Sequence, residues 1–245
     1  MTEISLAAEA IAHIGPIVIT NSLLTSWLVV LLICAIAISV SKYIALVPQG
    51  RFATLVDSIT EFLLTTIEGV TGDNKKAIQF LPFLGTFFIY IIINNWFGLL
   101  PGIGTITIFN GEHSVPLFRG GNADINATLA LAVISVLVTQ YTGIKYLGFL
   151  GHFKKYFNFK DPITGSVGIL EFFSEISKII SFSFRLFGNI FAGEVLLIVI
   201  AFLVPLLAPL PFFGLELFVG FIQAVVFMML TLVFLTTATS SHEGH

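Results

Sequence analysis

Charged side chains are scarce in this chain. Of its 245 residues, 10% are Asp, Glu, Lys or Arg, against about a quarter in an average soluble domain. Apolar residues make up 56% of the chain, and the mean hydropathy is +1.01. So few polar side chains cannot cover a surface that faces water, and lipid must therefore solvate much of the protein. An ordinary cytosolic globular protein is excluded.

Cysteines and basic tracts are equally scarce. The one cysteine, Cys34, lies in an apolar run, which excludes an intrachain disulfide and a cysteine metal cluster and favours a simple packing role. The net charge is −3, and no basic tract indicates nucleic-acid binding. Motifs such as HExxH, GxSxG or a paired aspartate set are missing, so the sequence indicates no metal, no cofactor and no intramembrane enzyme.

The uncharged stretches define the organisation of the chain. Residues 10–41, 77–111, 125–144 and 217–242 contain no Asp, Glu, Lys or Arg, and 195–215 lies between two glutamates. About 20 apolar residues span a hydrocarbon core of roughly 30 Å. We therefore predict an all-α membrane protein with a single domain over 1–245, and five membrane helices near 22–43, 78–100, 124–147, 166–204 and 211–239.

The basic residues predict the orientation. Eight of the eleven follow the first and third spans, where the positive-inside rule places the cytoplasm: Lys42, Arg51, Lys75, Lys76, Lys145, Lys154, Lys155 and Lys160. The connection after the second span carries Arg119 alone. The acidic start MTEISLAAEA has no positive n-region, so we expect no cleaved signal. The N-terminus is predicted outside, and the C-terminal SSHEGH in the cytoplasm.

The first cytoplasmic connection predicts an amphipathic surface helix over 50–70. Its apolar positions recur at helical spacing opposite three acidic residues, Asp57, Glu61 and Glu68. These apolar positions are Phe52, Leu55, Val56, Ile59, Phe62, Leu63 and Ile67. Such a helix either anchors the protein to the membrane surface or docks a partner subunit.

The fourth span is unusually long. Residues 166–204 contain no proline, and as one helix they would extend about 58 Å, nearly twice the hydrocarbon thickness. Such a helix must either tilt by about 60° or bend near Gly188 or Gly193. The turn at 205–211 then returns the chain into the last span, which predicts a helical hairpin.

One face of this long helix is polar. At 100° per residue five polar side chains fall within about 40° of Arg185: Glu171, Ser174, Lys178, Ser181 and Asn189. Ionisable groups in a membrane cost at least about 2.5–3.5 kcal/mol each, so they are functional candidates. Two structural alternatives remain: Glu171, Glu175 and Lys178 as a salt-bridged set at the interface, and Arg185 paired with a carboxylate of this chain.

The remaining candidates lie opposite or beside this face. Glu194 falls near 180° from Arg185, and Glu216 and Gln223 share one face of the last span. In an antiparallel hairpin these residues would come near Asn189 and form a hydrated polar cluster. Asp124, at the outer end of the third span, either adds to the mouth of this cluster or caps its own helix.

Four motifs carry a family resemblance. The stretch SFSFRLFGNIFAGEVLL at 181–197 resembles the signature of subunit a of the rotary F-type ATP synthase. NNWFGLLPG at 94–102, ADINATLALA at 123–132 and FIQAVVFMMLT at 221–231 resemble further helices of that family, in the same order. The resemblance implies a strongly tilted hairpin that packs against the rotating c-ring.

The resemblance also implies roles for individual residues. Arg185 would be the essential arginine that faces the c-ring carboxylates, and Glu216 stands where some bacterial members have histidine. Two half-channels that do not meet would carry the ion. The outer one would be lined by Asn189, Glu194, Glu216, Gln223 and Asp124, and the inner one by Glu171, Ser174 and Lys178.

The implied partners are the c-ring, the peripheral-stalk subunit b, the lipid bilayer and the translocated H⁺, or Na⁺ in its place. The chain would not be an enzyme by itself, and a bacterial plasma membrane fits it best. The alternative is an independent ion-coupled secondary transporter, in which Arg185 would bind an anionic substrate. Inverted halves and broken helices, which would favour that alternative, are not evident in the sequence.

Overall fold

A computed structural model describes most of the chain. The described residues are 8–15, 17–41, 50–100, 102–110, 113–149, 151, 162–205 and 207–239. Several predicted features lie outside them: Lys42, Lys154, Lys155, Lys160, the side chain of Phe52 and the C-terminal residues 240–245.

Six helices of at least 21 residues dominate the described chain. They are α1 (Asn21–Ser41), α2 (Arg51–Thr71), α3 (Asn74–Gly98), α4 (Ile125–Leu147), α5 (Pro162–Leu203) and α6 (Pro209–Thr239). All except α2 are long and apolar enough to cross a membrane. The predicted all-α membrane fold with five spans is therefore confirmed.

Short polar residues and glycines determine where these helices begin and end. Asp73 caps α3 by accepting a hydrogen bond from the Lys75 backbone N–H at 2.9 Å. Asp124 caps α4 in the same way through the Asn126 N–H, also at 2.9 Å. Gly72 ends α2 in the left-handed region at φ 65°, a conformation that costs glycine little. These caps satisfy backbone groups that the helices leave free.

Two short antiparallel β-hairpins accompany the helices. Strand β1 (Ala10–Ile14) pairs with β2 (Ile17–Thr20), and β3 (Thr107–Asn110) pairs with β4 (His113–Pro116). The sequence analysis assigned no strand to either region. The alternating TITIF at 105–109, rich in β-branched residues, is the signal that would have predicted β3.

Helices α5 and α6 form an antiparallel hairpin. The ring of Phe182 lies 5.0 Å from that of Phe227 and 5.4 Å from that of Phe234. Further along, Asn189 contacts Gln223. As the residue number rises on α5 it falls on α6, which is the arrangement predicted from the turn between them.

The apolar core lies mainly between α3 and α6. Leu84 and Ile91 of α3 are fully buried, as are Met228 and Leu232 of α6. The core also includes Leu63 and Ile67 from the C-terminal half of α2. These two positions of the predicted surface helix therefore pack against the bundle, while Leu55 and Phe62 remain exposed.

Helix α5 contributes little to that core. It is continuous over 42 residues, about 63 Å, and neither Gly188 nor Gly193 interrupts it. Large apolar side chains on it stay open, with Leu170 68%, Phe173 60% and Phe184 58% exposed. This length of exposed apolar surface suits lipid or another apolar protein rather than water.

The bundle has two distinct ends. We call the hairpin end the one that carries both β-hairpins, the start of α4 and the C-terminal half of α5. A short 3-10 helix, Gly121–Ala123, is buried there among α1, α3, α4 and α5. We call the basic end the one that carries the starts of α3 and α5 and the C-terminus of α4 with Lys145.

Candidate functional site

Arg185 lies on the exposed face of α5. Its side chain is exposed, whereas the next residue, Leu186, is fully buried. Arg185 Nη2 donates to Ser181 Oγ at 3.4 Å, one turn earlier on the same helix. Among the residues that the structure describes, no carboxylate lies within ion-pairing distance of Arg185. The internal partner that one interpretation required is thus not found in the described part of the chain.

Asn189 and Gln223 connect the two helices of the hairpin. Asn189 Nδ2 donates to Gln223 Oε1 at 2.8 Å, one turn beyond Arg185. Gln223 is buried, with 4% of its surface exposed, whereas Asn189 is exposed. A buried amide that loses its partner costs about 1–3 kcal/mol, so this bond fixes the register of α5 against α6 beside the arginine.

Glu216 is buried where α6 crosses α5 closely. A Cβ added to Gly193 would collide with the Glu216 carboxyl group. The carboxyl therefore occupies the space that the missing side chain of Gly193 leaves. Gly220, one turn later on α6, likewise lies against Asn95 and Trp96 of α3. Small residues at these two points allow a polar group to fit between closely packed helices.

Glu194 forms an ion pair that the sequence analysis did not predict. Its Oε2 lies 3.4 Å from Nε of Arg119, which is 8% exposed. In the sequence, Arg119 is the single basic residue of its connection and bears only on the orientation of the chain. That isolation was the available signal, because a basic residue on the predicted outer side goes against the positive-inside rule. No hydrogen bond joins Glu194 to Glu216 among the described residues.

Asp124 both caps α4 and receives a bond from α1. Its Oδ1 accepts from the Asn126 N–H, and its Oδ2 accepts from Ser22 Oγ at 2.6 Å. The capping interpretation of Asp124 is therefore what the structure shows, with a second bond in addition. Whether it also lines an ion path stays a prediction.

A buried polar layer surrounds Asp124 at the hairpin end. The α1 residues in it follow one face of the first two turns, a pattern that the sequence analysis missed: Asn21, Ser22, Thr25 and Ser26. On the other side, Asn122 Nδ2 donates to Asn95 Oδ1 at 2.7 Å, and Asn95 Nδ2 donates to the Gly220 carbonyl at 3.0 Å. Hydrogen bonds of the layer thus join the 3-10 helix to α3, α3 to α6, and α1 to Asp124, directly after the 3-10 helix.

The three candidates near the basic end are arranged differently. Lys178 Nζ donates to Glu175 Oε1 at 2.5 Å, and lies 4.4 Å from the centre of the Phe234 ring. Ser174 is exposed and Glu171 partly buried. Of the predicted salt-bridged set of Glu171, Glu175 and Lys178, the structure shows the Glu175–Lys178 pair. Within the described ranges, no group of three His, Cys, Asp or Glu side chains is arranged to hold a metal ion.

Comparisons with known proteins identify relatives of this chain. The model of the family described as ATP synthase A chain matches residues 23–236, almost the whole helical part. The chain is also 34% identical to the ATP synthase subunit a of Gloeobacter violaceus over 234 residues, 95% of this chain and 89% of that relative. The subunit a of Campylobacter jejuni is 34% identical over 218 residues, 89% of each chain.

The chain belongs to the ATP synthase A chain family. The resemblance found in the four sequence motifs is thereby confirmed, and so is a multi-pass integral membrane protein. Members of the ATP synthase A chain family are subunits of a membrane-sector complex, which explains why α5 leaves so much apolar surface uncovered in the isolated chain.

Proposed function

We propose that the chain is a stator subunit that provides two offset half-channels for protons to and from the rotating c-ring. The observation that carries this proposal is the position of Arg185. A cation on an exposed apolar face, with no carboxylate beside it in the described chain, needs a partner from another protein. The carboxylates of a c-ring that moves along α5 would supply it.

The hairpin end would form the half-channel that opens to the outside. Glu216, Asn189 and Gln223 lie along the α5–α6 contact, and Glu194 pairs with Arg119 at the same end. The buried polar layer around Asp124 continues towards the hairpins. Polar groups at this density inside a membrane are expensive unless water or transferred protons use them. Protons would load a c-ring carboxylate from this end.

The other half-channel would run past Glu171, Ser174 and Lys178 to the cytoplasm. These side chains follow the same face as Arg185 on the basic side of α5. The eight basic residues of the cytoplasmic connections support this orientation, with the N-terminus outside. Bacterial relatives support a plasma membrane. The ion would be H⁺ or Na⁺, since the selecting carboxylate belongs to the c-ring.

Arg185 would separate the two half-channels by its charge. A guanidinium stays protonated, so it cannot relay a proton, but it favours an ionised carboxylate opposite it. At 4 Å and an effective dielectric constant near 20 that attraction is about 4 kcal/mol. A membrane potential of 100 mV supplies roughly 2.3 kcal/mol per charge. The attraction is thus strong enough to release the proton and weak enough for the rotor to move on.

Replacement of Arg185 tests the proposal. We expect Arg185→Ala to abolish gradient-driven ATP synthesis and to leave a passive proton leak, because nothing then keeps the half-channels apart. The measurement is ATP synthesis and proton leak in membrane vesicles, at equal amounts of assembled complex. Arg51→Ala on α2 is the matched control, since it removes an exposed arginine away from the site. Normal synthesis by Arg185→Ala would contradict the proposal.

Copurification tests the partners. A tagged chain solubilised in mild detergent should bring down a c-ring, the peripheral-stalk subunit b and a soluble ATPase. An isolated chain that transports ions by itself would favour the transporter alternative.

A further inference from the structure

Arg119 is buried at the hairpin end although it belongs to a connection between helices. It lies two residues before the buried 3-10 helix, and only 8% of it is exposed. Its Nε is 3.4 Å from Glu194 Oε2 on α5. The ion pair therefore joins two parts of the chain that are 75 positions apart in sequence.

Two further contacts fix the position of Arg119. Its backbone N–H donates to Thr25 Oγ1 of α1 at 3.3 Å. Its guanidinium lies 5.9 Å from the centre of the Phe191 ring. Phe191 in turn stacks on Phe187, with ring centres 5.4 Å apart and planes at 13°. The guanidinium is thus placed over an aromatic ring on the same helix as its carboxylate partner, which limits the directions in which it can move.

The surroundings of the pair are rich in carboxylates. Glu9 lies near enough to Glu194 to interact with it electrostatically, and Glu216 lies against Gly193, the neighbour of Glu194. The buried Arg119 therefore pairs with a glutamate that has further acidic side chains in its vicinity. Removal of the cation would leave the partly exposed Glu194 carboxylate without its ion-pair partner and free to turn away.

We propose that Arg119 is a positioning residue for proton transfer: through the ion pair it holds the Glu194 carboxylate at the outer half-channel, beside the α5–α6 contact. Arg119 itself stays protonated and takes no part in the transfer. If Arg119 only linked its connection to α5, neither its charge nor the exact position of the Glu194 carboxylate would matter. The inference rests on the proposed function, because it assigns to Glu194 a role in the proton path.

The test is ATP-driven proton pumping in vesicles, expressed per assembled complex. We expect Arg119→Gln to lower pumping on the order of tenfold, since misplacing a reacting group by about 1 Å can cost up to a hundredfold. Arg119→Lys, which keeps the charge, should retain at least half of the pumping. Arg51→Gln is the control for loss of an arginine and should leave pumping unchanged.

A double variant shows whether Arg119 acts through Glu194. Glu194→Asp keeps the carboxylate but withdraws it from Arg119. In that background Arg119→Gln should cost clearly less than it does in the unchanged protein. If Arg119→Gln prevents assembly, the double variant Arg119→Lys with Glu194→Asp is measured instead. Both side chains are then shorter, and the double variant should lose far more pumping than the product of the single losses.

The outcomes separate this inference from the proposed function. Normal pumping by assembled Arg119→Gln, equal losses for Arg119→Gln and Arg119→Lys, or losses that simply multiply in the double variants would each overturn it. If Glu194→Gln also pumps normally, the outer half-channel itself is wrongly placed. If Glu194→Gln is defective while Arg119→Gln is normal, only the role of Arg119 fails.

Discussion

The two parts of α5 on either side of Arg185 use their polar residues in different ways. Towards the hairpin end, Glu194 pairs with Arg119 and Asn189 with Gln223, both in other parts of the chain. Towards the basic end, Lys178 pairs with Glu175, on α5 itself. Arg185, between the two parts, contacts Ser181 of its own helix.

This difference indicates which of the two proposed ion paths is enclosed by the chain alone. At the hairpin end the acidic residues are surrounded by three elements of the same chain: the connection that carries Arg119, α5 and α6. The proposed outer path is therefore formed before any partner binds. On the basic side the polar face is still open, with Ser174 and Arg185 exposed. The proposed inner path therefore needs a second protein as its other wall. Variants at the hairpin end should damage the chain itself, whereas those at the basic end should act mainly in the complex.

Within this comparison, the largest effects are expected from the buried Glu216 and the partly exposed Glu194. Glu194→Gln and Glu216→Gln each keep the size of the side chain but remove the group that takes up a proton. Each should lower ATP-driven proton pumping by about a hundredfold, the lower end of the range for a positioned acid or base. Glu61→Gln, an exposed carboxylate on α2, serves as the control and should pump normally.

The double variant then shows whether the two carboxylates act as one relay. No hydrogen bond joins them in the described structure, so water would have to bridge them. A loss greater than the product of the single losses would indicate one relay. Losses that multiply would show two independent steps, and normal pumping by either single variant would remove that residue from the path.

A smaller effect is expected from Gly193→Ala. The new methyl group would overlap with the Glu216 carboxyl, and overpacking of this kind costs typically 1–3 kcal/mol. The thermal disassembly midpoint of the solubilised complex should fall, and proton pumping should fall severalfold because Glu216 is displaced. Gly193→Ala combined with Glu216→Asp, a shorter acid, should recover part of the stability.

The matched control is Gly214→Ala on α6. An added Cβ there meets nothing within 4 Å, and alanine favours a helix by up to about 1 kcal/mol over glycine. Gly214→Ala should therefore leave stability unchanged or raise it slightly. Equal losses for both glycine variants would mean that the close contact between Gly193 and Glu216 is not important.

The sequence predicted the helices well because their cause is local. Runs of apolar residues between charged ones mark α1, α3, α4, α5 and α6, and the lipid requires such runs whatever the tertiary packing. The antiparallel hairpin of α5 and α6 followed from the turn between them, and with it the contact of Asn189 with Gln223.

The contacts made by the connections could not be predicted in this way. Arg119 reaches Glu194 only because the 3-10 helix after it is buried between α1 and α5, which no periodicity reveals. The place of Glu216 likewise depends on Gly193 of another helix. Spacing along one helix shows which residues share a face, but the partner of a buried charge is determined by tertiary packing.

The smallest effect is expected at the basic end, from Lys178→Gln. Its pair with Glu175 lies within one helix, where such pairs contribute only about 0.3–0.5 kcal/mol, and its contact with the Phe234 ring adds a similar amount or slightly more. We expect a loss of about 1 kcal/mol in the stability of the complex and less than a threefold loss of proton pumping. Lys75→Gln, exposed near the start of α3, is the control for loss of a lysine.

A loss of pumping as large as that of Glu194→Gln would show that the basic side, too, contains an acid–base group that the chain must hold in place. Both parts of α5 would then contain acid–base groups, and they would differ only in how deeply those groups are buried.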